Sequence, residues 1–255
     1  MAFEGTVLEN NENSVPQDVE NICANKSENI NSEDRVCEDK VSASPLKKGC
    51  RYNFYLFLKR TFDIFSSGIA IILFSWLILL CLLIKWLEDF HNPVYVSTRI
   101  GKNGKPFKFY KIRSMRPDAE AMKQKLIEQG LNEADPPAFK MKNDPRITKF
   151  GKFLRKTSLD ELLQLFNIFN GSMSVVGPRP PIPCEVEKYN EYQKQRLLVK
   201  GGLLCLWQIQ KNRNDIKFDK WVELDLEYIK KQSVWLDLKI IFKGLFMVIF
   251  DRSGE

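Results

Sequence analysis

Two adjacent carboxylates, Asp160 and Glu161, open the run "TSLDELLQLFN" at residues 157–167. Their ordinary use is structural. Ser158 reads as an N-cap and Glu161, three positions on, as its capping-box partner, while two acids in a first turn suit the helix dipole. Neighbouring helical residues do not face each other, so the pair is not a proton-sharing dyad. The surrounding cations widen the choice. Lys152, Arg155 and Lys156 precede the pair, Arg179 follows it, and Lys111 and Arg113 stand on an earlier predicted strand. Guanidinium groups match phosphate oxygens in a fork, and a carboxylate held among them stays ionised, able to act as a nucleophile or to hold a divalent cation. That chemistry is phosphoryl transfer. Lys152 and Lys156 read better as a solvated or headgroup-facing surface. Arg179 differs, because "GPRPP" sets it on a stiff loop, and stiffness is what positioning a phosphate requires.

Other chemistries have little support. The chain has a single histidine, His91, which is given no role and leaves sites built on several imidazoles, and Ser-His-Asp catalysis, little to stand on. Its six cysteines, at 23, 37, 50, 81, 184 and 205, form no C-x-x-C pair and read as free thiols. The sequence has no P-loop, dinucleotide fingerprint, nucleophile elbow or kinase set; "GKNGKP" is a turn. The net charge of +7 is unevenly spread: residues 1–45 carry −7, which leaves +14 on the remainder. A basic body of this kind suits an anionic partner, and no nucleic-acid motif accompanies the charge.

The elements that must position these residues follow from pattern. Residues 1–45 are rich in Asn, Glu and Ser and read as a disordered acidic tail. Ile64–Ile84 is an uncharged stretch of 21 residues, about 32 Å long as a helix. It is long enough to span a bilayer, with a buried core helix as the weaker alternative. Lys59 and Arg60 precede it and Lys85 follows, so positive charge does not separate the two flanks. A re-entrant hairpin with a break near Gly68 or Ser75 keeps both flanks on one face; a single span fits the length equally well. Val94–Val96 and Phe107–Ile112 read as a hairpin, residues 118–130 as a charged helix, and Cys184–Val199 as renewed helix. From Phe218 to Phe250, Trp221, Trp235, Phe242 and Phe246 interleave with Lys239 and Lys243. That segment suits either a membrane interface or an amphipathic helix closing a core.

Together these stretches resemble the bacterial sugar transferases, the monotopic phosphoglycosyl transferases, from about residue 55 to the end. The matching pieces are "KRTFDI", "RIGKNGKPFKFYKIRSM", "NDPRITKFGKFLRKTSLDELLQLFNI", "GSMSVVGPRP", and "LWQIQKNRNDIKFDKWVELDLEYI" with "WLDLKIIFKGL". Several long motifs in order are far more specific than any one. The resemblance implies transfer of a phospho-sugar from a nucleotide diphosphate sugar to a polyprenol phosphate such as undecaprenyl phosphate, with release of a nucleoside monophosphate. It makes Asp160 the nucleophile of an aspartyl-phosphosugar intermediate and Glu161 a ligand of Mg²⁺. It assigns Lys111, Arg113, Arg155, Arg179 with its flanking Pro178 and Pro180, and Arg213 with Asn214, to substrate binding.

The resemblance also implies an α+β, mainly helical fold: a membrane-embedded helix over 55–90, re-entrant in the family, then a cytosolic catalytic domain over 91–255 with amphipathic interface helices. The expected location is the inner, cytoplasmic membrane, catalytic domain toward the cytoplasm. Expected partners are the two substrates, membrane lipids, a second copy of the chain and downstream glycosyltransferases, with no nucleic acid. The sequence departs from the family pattern at Ser75-Trp76, where Ser-Pro is usual, and at Ser97, Ser172 and Leu204 in place of Gln, Asp and Thr. One extra residue lies between Gln208 and Arg213. An inactive membrane-anchored scaffold binding anionic lipid or nucleotide sugar is the competing expectation.

Overall fold

A computed structural model describes residues 49–131, 141, 143–210 and 216–250, with side chains to residue 247. The expected acidic tail lies outside the described residues. Helix α1, Cys50–Asp89, is 40 residues long and contains the whole apolar stretch. It is long and apolar enough to cross a membrane, and only 17% of its most apolar window is buried, which sets aside the core-helix alternative. Burial is confined to its two arms. Tyr55, Asp63 and Ser67 are covered on the first, Ile78, Cys81 and Lys85 on the second, at helical spacing in each case. Residues 72–76, nearly a turn and a half, are exposed all round.

The break expected at Gly68 or Ser75 is not there: α1 is continuous through both. Ser75 Oγ instead donates 2.8 Å to the carbonyl of Ile72, a bond that bends a helix without interrupting it. Each arm is tied to the domain by polar contacts that apolar burial alone would not fix. In the first arm, Asp63 accepts the Val175 amide at 2.9 Å and Arg60 donates to the carbonyls of Ile168 and Phe169 at 2.7 and 2.8 Å. In the second, the fully buried Lys85 pairs with Glu88 at 2.6 Å and Asp89 at 3.2 Å.

Strands β1, Val94–Ile100, and β2, Pro106–Ile112, form the expected antiparallel hairpin, in register Tyr95↔Lys111, Ser97↔Phe109 and Arg99↔Phe107. These six side chains therefore share one face. Helix α2, Ala119–Glu128, matches the charged helix read from the sequence, and α3, Lys149–Lys156, follows, capped by Thr148 Oγ1 on the Gly151 amide at 3.0 Å. The chain then reverses into a 3₁₀ turn, Leu159–Glu161, before α4, Gln164–Asn170.

This overturns the capping-box reading of Ser158 and Glu161. Ser158 adopts φ 56°, ψ 18°, left-handed, and its side chain caps nothing. The tight reversal out of α3 sets that backbone, and the Glu161 carboxylate is taken by Lys111 at 2.9 Å. Strand β3, Ser174–Val176, runs parallel to β4, Gly202–Leu204. Between them the helix expected over Cys184–Val199 is divided into α5, Pro183–Val186, α6, Glu191–Lys194, and a 3₁₀ turn at Gln195–Leu198. Asn190 starts the second piece with its own capping box, which is why the run breaks there.

The C-terminal segment is two helices, α7, Phe218–Lys231, and α8, Val234–Phe250. One face of α8 enters a core with Val176, Val222, Leu226 and Ile229 through Ile240 and Met247. Its other face leaves Trp235, Phe242 and Phe246 exposed. The helix both closes a core and offers an aromatic surface. A second cluster, Ile112, Leu154 and Leu163 around Ile78 and Cys81, holds the 3₁₀ turn Leu159–Glu161 against the second arm of α1. Burying side chains of this size contributes roughly 1.5–3 kcal/mol each.

Candidate active site

The short turn Leu159–Glu161 is anchored from behind by Leu163, buried in the second cluster, and by α4. Helix α4 is in turn locked to β2 by one residue. Asn167, 1% exposed, accepts the Tyr110 amide at 3.1 Å and donates to the Lys108 carbonyl at 2.6 Å and Ser172 Oγ at 3.1 Å. An amide side chain that completes two strand groups fixes the strand relative to the helix. The consequence is the placement of Lys111. Its Nζ stands 3.3 Å from Asp160 Oδ2 and 2.9 Å from Glu161 Oε1, so one ammonium serves both carboxylates.

The two acids are in different surroundings. Asp160 is 7% exposed, and burial pushes its carboxyl above the usual range, the neighbouring Glu161 charge adding to this while Lys111 and Arg155 oppose it. Glu161 has a side chain 33% exposed; burial also acts to raise it, but Lys111, Arg179 and the Gln164 amide together hold it below the ordinary value. Two neighbouring acids with opposed shifts have different tasks available to them. The raised one is a carboxylate kept poor in solvation, hence reactive once ionised; the lowered one stays charged.

Arg155 reaches the turn from α3, its Nε donating 3.0 Å to Ser114 Oγ. Arg179 lies on the proline loop, which is pinned along its length. The Gly202 amide donates to the Pro178 carbonyl at 2.9 Å, Arg99 Nη1 to the Pro180 carbonyl at 3.1 Å, and the Ile100 amide to the Pro181 carbonyl at 2.9 Å. A Cβ on Gly202 would sit 2.0 Å from the Gly177 nitrogen, so only glycine permits this approach.

Arg113 is not brought to the carboxylates. It pairs with Asp89 at 2.6 Å with its side chain 11% exposed, a tie between the end of β2 and the end of α1. Arg213 and Asn214 lie outside the described residues. Arg99 was missed by the sequence reading. It shares the hairpin face with Lys111, stacks its guanidinium 5.2 Å over Phe109, and makes no ion pair among the described residues. Burial depresses its pKa and the Arg179 charge adds to the effect, so Arg99 feels the guanidinium on the proline loop. The signal was available: alternation along β1 sets Arg99 on the same face as Ser97 and Tyr95.

Mg²⁺ keeps several waters and takes one or two carboxylates together with substrate phosphates. No group of three or more metal-ligating side chains occurs among the described residues, and Asp160 with Glu161 is the two-carboxylate set that such an ion accepts. The residues therefore fit it.

A family model described as bacterial sugar transferase matches residues 54–251. Galactosyl transferase CpsE of Streptococcus agalactiae is 44% identical over 201 residues, 79% of this chain and 44% of its own length. Undecaprenyl-phosphate galactose phosphotransferase of Salmonella typhimurium is 43% identical over 200 residues, 78% of this chain and 41% of its own. The chain thus spans less than half the length of these two relatives. It covers 87% of exopolysaccharide production protein ExoY of Rhizobium meliloti, at 39% identity over 198 residues. With a family match across most of its length and a relative covered almost end to end, the chain belongs to the bacterial sugar transferase family.

Proposed function

We propose that this protein transfers a phospho-sugar from a nucleotide diphosphate sugar to a polyprenol phosphate, undecaprenyl phosphate by analogy with its relatives' names, and so starts a surface polysaccharide or glycoconjugate. The observation that carries the reading is a buried, poorly solvated Asp160 facing Lys111, flanked by Arg155 and Arg179, beside a helix suited to a bilayer.

In the first step an Asp160 carboxylate oxygen attacks the sugar-proximal phosphorus. The bond from that phosphorus to the bridging oxygen breaks, and the nucleoside monophosphate leaves with the electron pair. In the second step a phosphate oxygen of the polyprenol phosphate attacks the same phosphorus and Asp160 is released. Arg179 and Arg99 hold phosphate oxygens from the loop side, while Lys111 and Arg155 keep Asp160 ionised against the effect of its burial. Mg²⁺, held by Glu161 with Asp160 beside it, would supply charge neutralisation of the diphosphate.

The acceptor is a lipid phosphate, which accounts for a catalytic turn packed on an arm of α1. We read the exposed middle of α1 as the part inside the bilayer. Because both arms pack on one domain, a re-entrant course fits better than a span, and it needs bending, not a break. The expected setting is the cytoplasmic membrane with the domain facing the cytoplasm.

The test is to incubate membranes containing the protein with a panel of nucleotide sugars and Mg²⁺ and to measure released nucleoside monophosphate. Release with one or a few donors, abolished by chelation, is the expected result. Binding without release would support the scaffold alternative instead. Labelling of both α1 flanks from opposite membrane faces would overturn the re-entrant course.

A further inference from the structure

A second group of cations converges away from the acid pair. The first arm of α1, the β1–β2 turn and residues 199–200 enclose a cavity of about 160 Å³. Arg60, Lys102 and Lys200 line it, and Asp63 is the acid in its wall. Lys59 also reaches it but is neutralised by Asp237 at 2.8 Å. The other three have no carboxylate partner among the described residues. Arg60 is held by the carbonyls of Ile168 and Phe169, which fix its guanidinium without cancelling its charge. Asp63 spends one oxygen on the Val175 amide at 2.9 Å. Burial, with Arg60 and Lys102 adding to it, lowers the pKa of Lys200 against the weaker pull of Asp63. Like charges gathered in a half-buried space are costly unless an anion shares them.

The location narrows the anion. Arg60 stands one turn, about 6 Å, before the apolar stretch that begins at Ile64, the level at which a membrane helix meets headgroups. On the adjoining flank of α1, Leu58, Phe62, Val234 and Leu238 line an apolar groove. None of the cavity's lining residues is Asp160, Glu161, Lys111 or Arg179, so this is not the donor's phosphate site. Resting on the reading that α1 enters the bilayer, we propose that the cavity binds the phosphate of an anionic membrane lipid, whose acyl chain lies along the groove of Leu58, Phe62 and Leu238. A phosphate without a chain would use the cations but not the groove.

The experiment uses the full chain in two arms. Flotation with vesicles of mixed phosphatidylglycerol and phosphatidylcholine first reads membrane association. Native mass spectrometry from detergent then counts retained phosphatidylglycerol against phosphatidylcholine, with inorganic phosphate as competitor. The expected result is preferential retention of one phosphatidylglycerol, weakened at least tenfold in the Lys102→Gln/Lys200→Gln variant, restored in the Lys102→Arg/Lys200→Arg variant, and not displaced by phosphate at matching concentration. The Lys102 hydrogen bond with the Lys105 amide is a backbone one, and neither lysine's side chain forms an ion pair among the described residues, so the variants are expected to fold, which a melting curve checks. Equal retention of the two lipids, an unchanged double Gln variant, or displacement by phosphate at matching concentration would each overturn the lipid site. Failure of the wild type to float would overturn the bilayer reading of α1 and this proposal with it.

Discussion

Two buried acid–base pairs in this protein look alike on paper and behave differently. Arg196 and Asp225 tie the 3₁₀ turn before β4 to α7, with nitrogen–oxygen distances of 2.8 and 2.7 Å to one carboxylate oxygen and side chains 4% and 1% exposed. Lys111 and Asp160 are 3.3 Å apart, and the ammonium, 23% exposed, is shared with Glu161. Burial raises both aspartates, Asp225 to about 6 despite its arginine. The first pair is sealed, so its charge can only hold the fold. The second has a cation and a carboxylate that solvent, and so a substrate phosphate, can reach. Burial of an acid is therefore a poor marker of a site by itself; burial of an acid beside a reachable, shared cation is a better one.

The sharpest way to break this contrast is at the sealed pair. Arg196→Met leaves Asp225 in the core without its partner, and should cost about 3–5 kcal/mol in denaturant unfolding. Adding Asp225→Leu should recover most of that loss; if Arg196→Met alone melts like the wild type, the pair is not sealed. Next is the open pair. Lys111→Met should lower kcat by about 10²–10³-fold while costing little stability, since the ammonium is partly solvated. It should also move the acid limb of the pH–rate profile upward. The sign follows from the charges: Lys111 lowers the Asp160 pKa, its removal lets burial raise that pKa further, and ionised Asp160 is the active form. An unmoved limb would separate the two residues functionally. The smallest effect is expected at Arg113. Arg113→Gln breaks the tie to Asp89 but touches no reacting group, so turnover should change less than about threefold with a modest loss of stability. A loss as large as that of Lys111→Met would place Arg113 among the phosphate-binding residues.

The elements with local patterns were legible in sequence: the apolar helix, the hairpin and the acid pair with its proline loop. What the chain does at Ser158 was not, because a capping-box spacing is satisfied equally by a turn whose acid is claimed from 50 residues away by Lys111. The same long-range competition separates Lys111 from Arg113. Both are basic and two apart, yet Asp89 at the end of α1 takes the second. Asn167 and Arg99 escaped notice for a related reason. Their importance lies in partners on other elements, the Lys108 carbonyl and the Pro180 carbonyl, that spacing along the chain does not reveal.

The central claim is that Asp160 carries the phospho-sugar. Mixing the purified protein with its nucleotide sugar and Mg²⁺, without lipid acceptor, and reading intact mass should give one added sugar-phosphate, mapped to the peptide holding Asp160, and no adduct in Asp160→Asn. An Asp160→Asn protein that still forms the adduct, or still turns over with the acceptor present, would contradict the account.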